Sequence, residues 1–206
     1  MLSLKRMLEI KGNRTVWTMG HKIRKAMAER DAYDKLAGVV EMDDTYFGAP
    51  TSGPRGRGAV MKAKVVVAVE TQRERPGFAC MKKIEQLSGE QISQVLTDRL
   101  DDEVVSRSDG WRVYGVLNSR NRTHQPVIVG AGENAVKVLP WVHTVIANVK
   151  GTIHGVYHDV GSKHLSRYLS EFCYRFNRRF WEPQMFDRIL TACVNSSTIT
   201  YAELKA

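Results

Sequence analysis

One short stretch constrains this chain more than any other: Val39-Val40-Glu41-Met42-Asp43-Asp44-Thr45-Tyr46-Phe47-Gly48. It reads as an apolar strand that delivers acidic side chains and stops at a glycine. A second stretch repeats the pattern, Val104-Val105-Ser106-Arg107-Ser108-Asp109-Gly110-Trp111. Asp43 and Asp109 lie 66 positions apart, which leaves room for two further strands and a helix between them. Alternation along a strand puts Glu41 and Asp43 on one face and Asp44 on the other. Glu41 could therefore orient a metal-bound water or a lysine, or be a solvated acid. Two carboxylates at strand ends, in a chain of net charge +9, point to a metal site facing a polyanion.

The 206 residues, 43% of them hydrophobic, suffice for one sizeable core. Lys and Arg number 31 against 22 Asp and Glu, a balance that fits nucleic acid, an anionic membrane surface or simply a basic soluble protein. No basic amphipathic helix stands alone at either end, which disfavours the membrane surface. Cys80, Cys173 and Cys193 are scattered and form no C-x-x-C pair. That argues against a disulfide framework and a zinc ribbon, and for a reducing, cytoplasmic setting. Apolar runs such as Val65 to Val69 are too short to span a bilayer, and the N-terminus lacks the apolar stretch of a signal peptide.

The pattern divides the chain into a basic helical segment (1–37), an α/β unit (38–192) and a polar tail (193–206). Residues 1–38 hold nine Lys or Arg against four acids, with Thr15 as N-cap and Val16, Met19, Ile23 and Met27 at helical spacing. Strands are expected at about 39–47, 64–70, 78–84, 104–108 and 125–129. A helix opens at Ser88-Gly89-Glu90, another runs from Lys163 to Trp181, and a short one lies near Tyr201. The stretch 49–64 is rich in Gly and Pro and carries Arg55, Arg57, Lys62 and Lys64 with no acid. It reads either as a phosphate clamp or as a solvated loop. Arg175, Arg178 and Arg179 on the late helix either contact DNA or solvate its polar face. His154 and His158 have the spacing of a zinc pair, but Gly155 and the lack of an acid between them favour a structural or DNA-contact role.

Taken in series, the blocks resemble a known family. Val40-Glu41-Met42-Asp43-Asp44-Thr45-Tyr46-Phe47-Gly48 resembles the first catalytic block of DDE-type transposases of bacterial insertion sequences. Ser108-Asp109-Gly110-Trp111 with Tyr114 resembles the second. Trp141-Val142-His143-Thr144, Ala147-Asn148-Val149-Lys150 and Gly155-Val156-Tyr157-His158 resemble the third. Lys163-His164-Leu165 through Asn177-Arg178-Arg179 resembles the closing helix. The nearest group is XO-two-like, and the resemblance runs from about Trp17 to Leu204.

The resemblance implies a ribonuclease-H-like fold, a mixed five-stranded sheet flanked by helices. It implies a polynucleotidyl transferase that cleaves and rejoins DNA with Mg²⁺ or Mn²⁺ held by Asp43, Asp109 and Asn148. Asn148 stands where relatives place a third acid; its side-chain oxygen can ligate a hard cation without adding charge. Lys150 is expected on transposon-end phosphate, although on a regular helix it stands about 200° from Asn148. DNA is the implied partner, with assembly as a homodimer or higher, in a nucleoid-associated bacterial setting. Relatives carry an N-terminal zinc ribbon and helix-turn-helix, so residues 1–37 read as the remnant of a DNA-binding region. A ribonuclease-H-like nuclease and a non-catalytic DNA-binding remnant are the competing readings.

Overall fold

The computed structural model describes residues 2–48, 62–118, 122–127, 135–158 and 160–206. Helices α1 (Leu2–Met7) and α2 (Asn13–Asp31) precede three strands, β1 (Val39–Phe47), β2 (Ala63–Gln72) and β3 (Arg75–Ile84). Helix α3 (Gly89–Thr97), strand β4 (Val105–Ser108), a 3₁₀ turn (Arg112–Leu117) and strand β5 (Thr123–Pro126) follow. The chain then forms α4 (Ala135–Val138), α5 (Pro140–Thr152), a π-helical turn (Ile153–Tyr157), α6 (Leu165–Asn177), a second 3₁₀ turn (Arg179–Gln184), α7 (Met185–Val194) and α8 (Tyr201–Lys205).

The five strands form one mixed sheet in the order β3-β2-β1-β4-β5. β1 pairs with β2 and β2 with β3 antiparallel, while β4 is parallel to β1 and β5 to β4. This is the ribonuclease-H-like mixed sheet flanked by helices expected from the sequence. β2 sits between two antiparallel neighbours and is covered on both faces. Its run Val65-Val66-Val67-Ala68-Val69 is therefore continuously apolar rather than alternating, and is wholly buried. Val66 and Ala68 join Val40, Met42, Ile92 and Leu96 beneath α3. Val65, Val67 and Val69 face the other way, with Phe47, Val142, Val145, Val149, Leu165 and Leu169 beneath α5 and α6. The alternation of β1 thus sends Met42 to the α3 face and its odd-numbered residues to the α5 face.

Local signals set most boundaries. Ser88 accepts a hydrogen bond from Gln91 N and caps α3 as the sequence predicts. Gly38, at φ +66°, makes the turn into β1. Three boundaries differ from expectation. α2 begins at Asn13 behind Gly12, so Thr15 lies inside its first turn rather than capping it. β5 pairs Thr123 with Val105 and ends at Pro126, earlier than expected; residues 128–130 lie outside the described residues. α6 ends at Asn177, whose amide donates to Ala79 O and accepts from Ala79 N at 2.7 Å, anchoring the helix end to β3.

Candidate active site

The two acids singled out in the sequence are brought together by strand register. The parallel ladder pairs Val39 with Val105, Val40 with Ser106 and Glu41 with Arg107. The ladder ends there; continued for two more residues, the same offset would set Asp43 beside Asp109, which directly follows β4. Alternation along β1 puts Asp43 on the face that carries α5. Each of the two acids has one carboxylate oxygen held by its own backbone turn. Asp43 Oδ1 accepts from Asp44 N at 2.8 Å, and Asp109 Oδ1 accepts from Trp111 N at 3.1 Å. Gly110, at φ +76°, lets the chain leave the sheet directly after Asp109.

α5 is docked over these acids by Glu41. Pro140 opens the helix and has no N–H to offer. The next two donors, Trp141 N and Val142 N, both reach Glu41 Oε2, at 2.8 and 2.9 Å. Glu41 is buried, so its carboxylate is neither a solvated acid nor a ligand facing the cleft; it satisfies the first turn of α5 and its positive dipole end. Burial raises its pKa, and the two backbone donors pull it back down. Val142, Val145 and Val149 then fasten α5 to the sheet.

With that stripe fixed, the helix has two exposed flanks. His143 and Lys150 lie seven residues apart and so within about 20° of each other. Their flank faces Asp43. His143 Nδ1 stands 3.6 Å from Asp43 Oδ2. Burial lowers the His143 pKa, against the opposing pull of Glu41 and Asp109. Lys150 is likewise lowered by burial, with Asp43 raising it and Lys62 lowering it. Lys62, at the foot of β2, therefore belongs to the same neighbourhood. Asn148 is on the other flank, about 140° round from His143, and is exposed. Among the expected residues, Lys150 and Lys62 thus share the neighbourhood of Asp43, while Asn148 lies exposed on the opposite flank of α5.

The expected DNA-contacting residues fare differently. Arg55 and Arg57 lie outside the described residues. Lys64 Nζ donates to Glu85 O at 3.0 Å, and Arg175 is exposed on α6. Arg178 is a correction: it is buried, paired with Asp31 at 2.5 Å and Asp34 at 3.2 Å, and stacked on Tyr174. Arg179 is half-buried and spends its donors on the carbonyls of Pro76, Gly77 and Phe176. Both hold α6 in place and do not form a phosphate-binding face. His154 and His158 are both exposed, on and just past the π-helical turn.

His143, which the sequence offered only as part of the third block and not as a site residue, lies beside Asp43. The signal was present in its spacing to Lys150, since residues seven apart share a helix face while Asn148 and Lys150 cannot. Two carboxylates and an imidazole around one cleft are a donor set suited to a divalent cation. Among the described residues, no three His, Cys, Asp or Glu side chains are already gathered around a single point.

The chain is similar to several solved structures. One is the intasome of simian T-cell lymphotropic virus in complex with PP2A regulatory subunit B56 gamma, at 12% identity and TM-score 0.44, over 69% of this chain and 49% of that one. Another is the Mos1 strand transfer complex, at 12% identity and TM-score 0.44, over 89% of this chain and 63% of that one. A third is the Mos1 mariner paired end complex with Mn, at 12% identity and TM-score 0.38, over 87% and 64%. The chain therefore spans between 49% and 64% of the length of these three. A comparison with the curated proteins gives no match. The profile of the ISXO2-like transposase domain matches residues 35–177, from the turn before β1 to the end of α6. That span takes in Asp43, Asp109, His143 and Lys150 and covers most of the chain, which belongs to the ISXO2-like transposase domain family.

Proposed function

We propose that this domain catalyses metal-dependent cleavage of DNA at the ends of an insertion sequence and transfer of the freed strand to target DNA. The observation that supports the reading is the register of β1 and β4, whose 66-residue offset, carried two residues past the Glu41–Arg107 pair, would put Asp43 and Asp109 next to each other. Asp43 and Asp109 would hold divalent ions, Mg²⁺ or Mn²⁺. When bound, such ions activate an attacking hydroxyl and stabilise the leaving oxygen. The chain's own side chains supply the rest. Lys150 and Lys62 set positive charge next to the carboxylates, where a scissile phosphate has to lie. Their role is to neutralise and position the DNA backbone, together with exposed Arg175 and the basic stretch 49–64. The net charge of +9 favours DNA throughout and makes binding salt-dependent.

The test separates catalysis from binding. Asp43→Ala and Asp109→Ala should each abolish strand transfer of a labelled element end in Mg²⁺. Both should leave DNA affinity unchanged or slightly stronger, because each removes a negative charge from the DNA path. Joining at the parent rate by either variant would refute the assignment. Cleavage without joining by the parent chain would instead identify a nuclease.

A further inference from the structure

The α5 flank that faces the acids carries an imidazole. We propose that His143 Nδ1, and not the side chain of Asn148, is the third protein ligand of the cation site formed by Asp43 and Asp109. We infer that the site consequently takes Mn²⁺ in preference to Mg²⁺. The inference rests on the transposase reading above and deepens it.

The geometry has three parts. First, α5 is fixed in rotation by Val142, Val145 and Val149 in the core and by Glu41 at its first turn, so its flanks are not interchangeable. Second, the His143–Asp43 separation of 3.6 Å is too long for a direct hydrogen bond. It does suit two donors around one ion. Two ligand atoms each about 2.1 Å from a shared cation stand roughly 3.0 Å apart at a right angle and roughly 3.4 Å apart at the tetrahedral angle. A closure of a few tenths of an ångström brings the pair into range. Third, Asp109 directly follows β4, whose register against β1, carried two residues past the Glu41–Arg107 pair, would set it beside Asp43. Asn148 offers an oxygen, but its flank leads into solvent.

The donor set decides the ion. Mg²⁺ binds oxygen ligands in near-ideal octahedra and gains little from an imidazole. Mn²⁺ accepts mixed nitrogen and oxygen ligands and stands where the transition-metal affinity order begins. One imidazole and two carboxylates also leave positions open for water and a phosphate oxygen, as a reactive site needs.

The experiment uses the full chain and Mn²⁺ alone as probe. Electron paramagnetic resonance titration gives the Mn²⁺ affinity, and electron spin-echo modulation reports any directly bound nitrogen. The parent should show ¹⁴N modulation from one imidazole and bind Mn²⁺ more tightly than Mg²⁺ displaces it. His143→Ala should lose the modulation and bind Mn²⁺ about ten-fold more weakly or worse. Asn148→Ala should match the parent in both. His143→Glu should recover binding without the nitrogen signal and shift the preference toward Mg²⁺. Circular dichroism melts on every variant confirm folding. Parent-like affinity in His143→Ala, or no nitrogen modulation in the parent, would overturn the inference while Asp43→Ala still loses Mn²⁺. If the parent takes up no Mn²⁺, or Asp43→Ala takes up as much as the parent, the catalytic reading fails as well.

Discussion

Glu41 shows how a single residue can sit in the right pattern for one role and perform another. Alternation along β1 puts it on the face of Asp43, as the sequence indicates, yet it is two residues deeper and lies under the first turn of α5. Truncation would leave Trp141 N and Val142 N buried without an acceptor, at about 1–3 kcal/mol for an unsatisfied donor. Glu41→Ala should therefore destabilise the chain by about 2–4 kcal/mol and displace α5 from Asp43. Glu41→Gln keeps an acceptor oxygen and removes a charge that burial already disfavours, so it should cost less than half as much. Urea unfolding of the three proteins measures both; equal losses would mean that charge, not the acceptor, is what α5 requires. At this scale the site was partly legible. The 66-residue offset between Asp43 and Asp109 is the register offset of β1 and β4 itself, so the spacing carried real geometry. Which flank of α5 meets Asp43 was not legible in the same way. A resemblance selects residues by neighbourhood in sequence, whereas the flank of a helix is chosen by where its apolar stripe docks.

Among the elements, α6 has a C-terminal arginine cluster that looks basic in sequence and is structural in the fold. Arg178 lies under Tyr174 and reaches Asp31 and Asp34, 147 and 144 positions earlier in the chain. Asn177 adds its bonds to Ala79 on β3, so the end of α6 ties α2 to the sheet edge. No local pattern reveals such partners, because they come from the far end of the chain; the strands and helices α2, α3 and α6 were legible because their signals are periodic and local, whereas α5 and α7 were not among the helices expected. Removing one partner of a buried ion pair leaves the other charge uncompensated, at about 3–5 kcal/mol. Arg178→Ala should accordingly lower stability by roughly that amount, and Arg175→Ala, exposed one turn away, by no more than about 0.5 kcal/mol. Denaturant midpoints decide between them. If Arg178→Ala unfolds like the parent but binds DNA more weakly, the arginine belongs to the DNA path after all.

At the scale of the whole molecule, the basic helix α2 is sealed against the transposase domain through an aromatic seam centred on His21. The His21 ring is fully buried, 4.2 Å from Trp17, 4.9 Å from His164 and 5.8 Å from Tyr168, centroid to centroid. Neither ring nitrogen has a hydrogen-bond partner among the described residues. Arg24, paired with Glu171 at 2.7 Å, lies in the same seam. Burial first, and then the charge of Arg24, lowers the His21 pKa from 6.5 to about 4. The sign of the resulting pH dependence follows. The unfolded chain takes up a proton at His21 below about pH 6.5, whereas the folded chain does so only below about pH 4. Between these values the unfolded state holds more protons, so stability falls as the pH falls, and outside the window His21 contributes no slope. The loss from this one group approaches about 3 kcal/mol at the acid end. His21→Phe keeps a ring in the seam and removes the titration. Unfolding free energies measured by urea from pH 7.5 down to 4.5 should therefore fall more steeply in the parent, by about 2 kcal/mol over the range, than in His21→Phe. Parallel curves would show that the seam opens enough to hydrate the imidazole, and with it that α2 is docked on the transposase domain less tightly than its buried face demands.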